Sequence, residues 1–262
     1  MRIAALEKVR LHWRVDGDAD GLPVLFANSL GTDLRLWDEV VALLPRSLRL
    51  IRYDLRGHGL SSCPPGPYSI ADLTDDAEQL LAHLGITSCV FVGMSLGGMI
   101  GQSLAARRPD LIQAMVLSNT APKMGDGPMW QDRIAAVRQG GLEAAADPIL
   151  ERWFSPAFRE APQREAWRNM LARTPCDGYV GCCEALAQAD LSDATAALTL
   201  PVLVVAGSDD RASPPETVRA TAALIAGAEY VELQDVGHLP SLEAPRAFAE
   251  IVTEFIGGQN GA

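Results

Sequence analysis

The residues best suited to do chemistry lie in a few short stretches. The first is Gly93-Met94-Ser95-Leu96-Gly97-Gly98, a G-x-S-x-G pattern with an apolar run before it and a helical pattern after it. In that setting the serine stands on a tight, strained turn, and small neighbours are needed for it to fit. The helix that follows favours negative charge at its N-terminus, so Leu96 N–H is one expected oxyanion donor. A serine hydroxyl is a weak nucleophile near neutral pH and needs a base beside it. The one histidine after Ser95 is His238, in Val236-Gly237-His238. An acid that orients it should close the preceding strand, and Asp209 and Asp210 both qualify. Such an acid fixes the imidazole tautomer without taking the proton. The second oxyanion donor is expected after the apolar run 23–29, where Asn28-Ser29-Leu30-Gly31 offers Leu30 N–H. The chemistry implied is acyl transfer from an ester-like carbonyl.

The other histidines have plainer readings. His58 lies in Asp54-Leu55-Arg56-Gly57-His58-Gly59-Leu60-Ser61, upstream of the serine, and reads as a structural hydrogen-bonding group. His12 and His83 fall on a strand and a helix and are given no role.

The elements that must position these groups alternate along the chain. Residues 23–29, 48–55, 88–94, 112–118, 201–207 and 229–233 are short, largely apolar runs. Between or after them, 34–44, 70–84, 96–108, 215–225 and 244–256 have helical spacing, with Gly85 and Pro109 as stop signals. Strands separated by helices predict parallel β-α-β units and a sheet covered on both faces. Residues 3–15 alternate and predict an antiparallel edge pair. From 120 to 198 no strong strand occurs. Helical patches at 130–137, 148–154, 164–171 and 179–187 are punctuated by prolines, among them Pro148. The expectation is an α/β fold with a mostly parallel sheet flanked by helices, its core formed by 1–120 and 198–262, with 121–197 inserted as a helical cap.

Composition narrows the function classes. At 262 residues the chain makes one large domain or two small ones. Its formal charge of −11 argues against a nucleic-acid partner. Five cysteines without a C-x-x-C pair suit a reducing compartment, and four histidines leave little for a metal site. No export signal or membrane-length apolar run is legible, so a soluble cytoplasmic protein is expected. The Gly-rich tail, 257–262, is expected to fray.

Taken in order, N-S-L-G, D-L-R-G-H-G-L-S, G-M-S-L-G-G, G-S-D-D-R-A-S-P-P and V-G-H-L-P resemble the α/β-hydrolase superfamily over essentially the whole chain. Within it, N-S-L-G-T-D-L-R-L-W-D, Y-D-L-R-G-H-G-L-S and G-M-S-L-G-G-M-I-G-Q resemble the 3-oxoadipate enol-lactonases of the β-ketoadipate pathway. Asn28-Ser29 stands where many relatives carry His-Gly, which makes the first motif the most discriminating. The resemblance implies a Gly-x-x-Asp pattern that, counted from Gly207, selects Asp210 as the acid and leaves Asp209 as its neighbour. It implies hydrolytic opening of an enol-lactone in aromatic catabolism, with no metal or organic cofactor. The decarboxylase domain fused to some relatives is expected to be absent.

An enol-lactone of this kind is a small anionic molecule, and a chain at −11 needs a local cation to hold its carboxylate. Arg133, three residues after Trp130, and Arg152, beside Trp153, are the candidates. Each could instead be a solvated helix residue paired with Asp132 or Glu151, and the tryptophans could be cap core. The same catalytic groups would also serve another carboxylesterase or lactonase, a cofactor-free perhydrolase or a carbon–carbon hydrolase. A ligand receptor on the same fold would turn over poorly.

Overall fold

A computed structural model of the protein describes residues 1–259. Eight strands form one sheet in the order β1-β2-β4-β3-β5-β6-β7-β8. They are β1 (Arg2–Ala5), β2 (Arg10–Gly17), β3 (Leu22–Ala27), β4 (Leu48–Tyr53), β5 (Cys89–Met94), β6 (Ile112–Ser118), β7 (Val202–Gly207) and β8 (Glu229–Leu233). From β4 to β8 the neighbours are parallel, while β2 pairs antiparallel with both β1 and β4. Residues 3–15 therefore supply the antiparallel pair expected at the edge of the sheet, with β1 outermost.

The central strands are buried on both faces, as their unbroken apolar runs require: every residue of β5 and β7 is buried. Helices α1 (Asp38–Leu43) and α11 (Pro245–Gln259) pack together on one side, and α2 (Ile70–His83) packs against α3 (Leu96–Arg107). Ser69 caps α2 through a reciprocal pair with Asp72, its Oγ accepting from Asp72 N–H at 3.1 Å. The stretch predicted as one helix from 34 opens instead with a 3-10 turn, Leu34–Trp37, because the Asp33 carboxylate accepts Arg35 N–H. Helix α11 continues to Gln259, so residues 257–259 are helical where fraying is expected; 260–262 lie outside the described residues.

Between β6 and β7 the chain makes α4 (Gly127–Trp153), α5 (Pro156–Arg159), α6 (Arg164–Ala172), α7 (Cys176–Gln188) and α8 (Ser192–Ala196). Helix α4 packs on α6 and α7. It breaks at Gly141, whose φ of 71° and ψ of 174° are not helical. Pro148 does not interrupt it: the helix runs through Pro148 at the cost of one backbone bond. Helix α9 (Pro215–Leu224) follows β7, and α10 (Pro240–Glu243) precedes α11. Among the described residues no helix is long and apolar enough to cross a membrane.

The order of strands places the site. The chain crosses from β3 to β4, then back past β3 to β5, so the loops leaving β3 and β5 diverge. A crevice opens at such a switch point, outside the carboxyl ends of the strands. The β3 loop carries Leu30, and the β5 loop carries Ser95.

Candidate active site

Ser95 joins β5 to α3 with φ 55° and ψ −117°, a strained backbone for a residue with a side chain. The surroundings over-determine it. Ser95 N–H donates to the Ser118 carbonyl at 2.9 Å, and its own carbonyl accepts Thr120 Oγ1 at 2.7 Å and Gly98 N–H at 2.9 Å. A Cβ at Gly93 would lie 2.4 Å from the Gly97 carbonyl oxygen, and one at Gly97 would lie 2.1 Å from that of Ala27. The second contact shows why glycine follows the serine. The N-terminus of α3, which carries Leu96 N–H, is pressed against the end of β3, from which the Leu30 loop leaves. Among the described residues neither N–H has a protein acceptor.

His238 follows β8 and is buried with Asp210. Its Nδ1 lies 2.8 Å from Asp210 Oδ2. The other oxygen, Oδ1, accepts the N–H groups of Ala212 at 2.7 Å and Ser213 at 2.9 Å. Of the two adjacent acids, Asp210 therefore meets the imidazole. Asp209 is half-buried, and its N–H donates to the Val236 carbonyl. Ser95 and His238 line one cavity. No hydrogen bond joins Ser95 Oγ to the ring among the described residues, a contact that often tightens only when substrate binds.

Two supporting groups, Asn119 and Glu243, escape sequence reasoning, and a third, Asn28, stands out in the sequence only as part of the N-S-L-G motif. Asn119 donates from Nδ2 to Asp210 Oδ2 at 2.9 Å and to the Gly237 carbonyl at 3.2 Å, and Ser118 Oγ holds its amide oxygen. The available signal is its place: it is the first residue beyond a buried strand, at the carboxyl edge of the sheet. Glu243 accepts Gly237 N–H at 3.1 Å and Ser155 N–H at 3.0 Å, tying the histidine loop to the segment after α4. Burial pushes its carboxyl above the ordinary range against the pull of those donors. Asn28 accepts Trp37 Nε1–H and donates to the Tyr53 carbonyl, both at 2.8 Å, which anchors the base of the Leu30 loop.

The cavity measures about 280 Å³ and also receives Leu30, Trp130, Arg133, Arg152, Trp153 and Tyr179. Trp130, Arg133, Arg152 and Trp153, the four residues of the inserted helices singled out in the sequence, thus converge on it. Trp130 and Trp153 also belong to the apolar core, so they serve as wall and core together. The Trp130 indole donates to the Met124 carbonyl at 2.6 Å, and the Trp153 carbonyl accepts His238 N–H. Arg133 donates to Tyr179 Oη at 3.2 Å, and Arg152 Nε to the Arg211 carbonyl at 3.3 Å. Neither arginine is paired with Asp132, Glu151 or any other carboxylate among the described residues. Burial, then the charge of Arg133, draws the Arg152 guanidinium below its ordinary pKa. Two guanidinium groups without an ion-pair partner among the described residues, although the Asp210 charge reaches Arg152, favour an anion in the cavity. A larger groove, about 970 Å³, lies between β2 and α6 and contains neither Ser95 nor His238.

A strained serine turn after β5, a carboxylate after β7 bonded to a histidine after β8, and helices inserted between β6 and β7 are the arrangement of an α/β hydrolase. Residues 24–251 match the alpha/beta hydrolase family, and the chain belongs to it. It is a hydrolase. It is 38% identical over 253 residues to 3-oxoadipate enol-lactonase 2 of Acinetobacter baylyi, a match covering 94% of this chain and 92% of that one. The crystal structure of the enol-lactonase from Burkholderia xenovorans LB400 superposes with a TM-score of 0.95 at 39% identity, covering 98% of this chain and 100% of the other. A thermophilic esterase from Thermogutta terrifontis, solved with malate bound, matches with a TM-score of 0.90 at 29% identity, covering 96% and 94%.

Proposed function

We propose that the protein opens the enol-lactone of 3-oxoadipate, in the β-ketoadipate pathway, through an acyl-enzyme on Ser95. The observation that carries the substrate is the pair Arg133 and Arg152, neither ion-paired with a carboxylate among the described residues, in the cavity that Ser95 and His238 line. The similarity to enol-lactonases supports the same reading. In this scheme Asp210 holds the Nδ1–H tautomer, so His238 Nε2 is free to take the proton of Ser95 Oγ as it attacks the lactone carbonyl. Leu30 and Leu96 N–H groups receive the oxyanion, each contributing about 2.7–4 kcal/mol to the transition state. The ring C–O bond breaks, His238 returns the proton to the enol oxygen, and the enol tautomerises to a ketone. That last step removes the leaving group as a nucleophile and makes opening effectively irreversible. Water, activated by the same histidine, then releases the acyl group. Residues 121–197 act as a cap over the core of 1–120 and 198–262, and the tryptophans limit water around the arginines.

Arg133→Ala is expected to reduce kcat/KM for the carboxylate-bearing lactone by about 10–150-fold, the equivalent of roughly 1.5–3 kcal/mol for a charged hydrogen bond. A neutral ester should be hydrolysed nearly as before. Arg152→Ala should follow the same pattern with smaller amplitude, because its Nε–H is already donated to the Arg211 carbonyl. Steady-state kinetics on the two substrates check this. An equal loss on both would make the arginines supports of the cap, and a wild-type preference for the neutral ester would remove the proposed substrate.

A further inference from the structure

We infer that His58 is a positioning residue for the oxyanion: its neutral imidazole locks the turn that presents Leu30 N–H. The inference rests on the reading of Leu30 as an oxyanion donor. Thr32 N–H donates to the Ser29 carbonyl at 3.2 Å, with Thr32 Oγ1 on the same oxygen at 2.8 Å. Leu30 and Gly31 are the central residues of this turn, and Gly31 has φ +77°, as a type II turn requires at its third position. Leu30 N–H lies on the peptide just before the central one, so its place depends on where the turn as a whole is anchored. The central peptide supplies the anchor: its Gly31 N–H donates to His58 Nε2 at 3.0 Å.

The ring can accept this bond in one protonation state only. His58 Nδ1 lies 3.0 Å from the Arg56 carbonyl oxygen, which can only accept, so Nδ1 carries the hydrogen and Nε2 the lone pair. A second proton on Nε2 would face Gly31 N–H and break the link. Burial lowers the His58 pKa, against the bond to the Arg56 carbonyl and the charges of Asp54 and Asp33. The remaining sides of the turn are closed by the cap. A Cβ on Gly31 would come within 2.6 Å of Leu171 and 3.1 Å of Tyr179. Gly57, immediately before His58, lies so close to Gly178 of α7 that a Cβ there would sit 2.4 Å from the Gly178 Cα. The imidazole is thus held between the oxyanion turn and the cap, 1% exposed, and it touches neither Ser95 nor His238 among the described residues.

The test compares wild-type, His58→Asn and His58→Gln in hydrolysis of p-nitrophenyl acetate, together with the Gly31 amide signal in a ¹H–¹⁵N spectrum. This ester needs no arginine, so the outcome is independent of the lactone assignment. Asparagine can reproduce the Nδ1 donor but not the Nε2 acceptor. Glutamine places an amide oxygen about where Nε2 lies. Asparagine should shift the Gly31 amide and lower kcat by about 10²-fold, the cost of misplacing a catalytic group by about 1 Å, with little change in KM. Glutamine should restore most of kcat and the amide signal. A Gly31 amide unmoved by asparagine, or a glutamine variant no better than asparagine, would overturn the role of His58. An amide that moves while kcat holds in both variants would show that Leu30 is not the oxyanion donor, and the inference would fall with it.

Discussion

Ser95→Ala should lower kcat by about 10⁶-fold, the loss seen when a hydrolase of this type is deprived of its nucleophile. The expected effect is large because Ser29 and Ser213, which also line the cavity, do not stand on the strained turn at the N-terminus of α3. The turn that exposes Ser95 is fixed by two glycines without room for a Cβ and by the Thr120 bond to its carbonyl. Alanine fits the same backbone, so folding should be retained and the loss should be chemical. An active-serine phosphonate should label the wild-type protein once, at Ser95, and leave the alanine variant unlabelled. Persistent labelling at another serine would displace Ser95 from the mechanism.

Asp210→Asn should lower kcat by about 10⁴-fold. The carboxylate accepts from His238 Nδ1, from Asn119 and from two backbone N–H groups. An amide would keep the shape but present an NH₂ to one of these donors. If that group faces the ring, Nδ1 becomes the acceptor and Nε2 carries the hydrogen, so it cannot take the serine proton. Asp209→Asn should cost little, since the Asp209 side chain makes no bond to the imidazole among the described residues. Pre-steady-state and steady-state rates on one ester distinguish the two. A severe loss at Asp209 with a mild one at Asp210 would reverse the assignment.

These groups were legible in the sequence where local pattern and chemistry coincide. Val90-Phe91-Val92-Gly93 reads as a strand buried on both faces because no polar residue interrupts it, and Ser95 reads as a nucleophile because glycines flank it at a strand–helix junction. His238 needed only its position in the chain. Asp210 could not be separated from Asp209 by residue type, since one peptide unit decides which carboxylate turns inward, and the resemblance was needed to choose. The supports were harder to see. Asn119 meets Asp210 across 91 residues, Glu243 meets Ser155 across 88, and neither spacing leaves a local pattern. His58 was legible as a hydrogen-bonding group, but its partner, Gly31, lies 27 residues away. Pro148 misleads as the start of a separate patch, 148–154, because tertiary packing holds α4 on α6 and α7 through the missing bond. Arg133 and Arg152 could be placed near the site from their tryptophan neighbours. That neither is ion-paired with a carboxylate among the described residues is a property of the folded cavity alone.

The most direct test of the account is the mass of the enzyme quenched in acid during its first turnover of the enol-lactone. Ring opening leaves the acyl part and the enol part joined, so the covalent intermediate must weigh the intact protein plus the whole lactone. A linear ester would add its acyl part only. The account predicts that adduct on the peptide containing Ser95, formed within the first turnover and decaying as product appears. Rapid turnover of the lactone with no adduct on Ser95, or with the adduct on another residue, would contradict it.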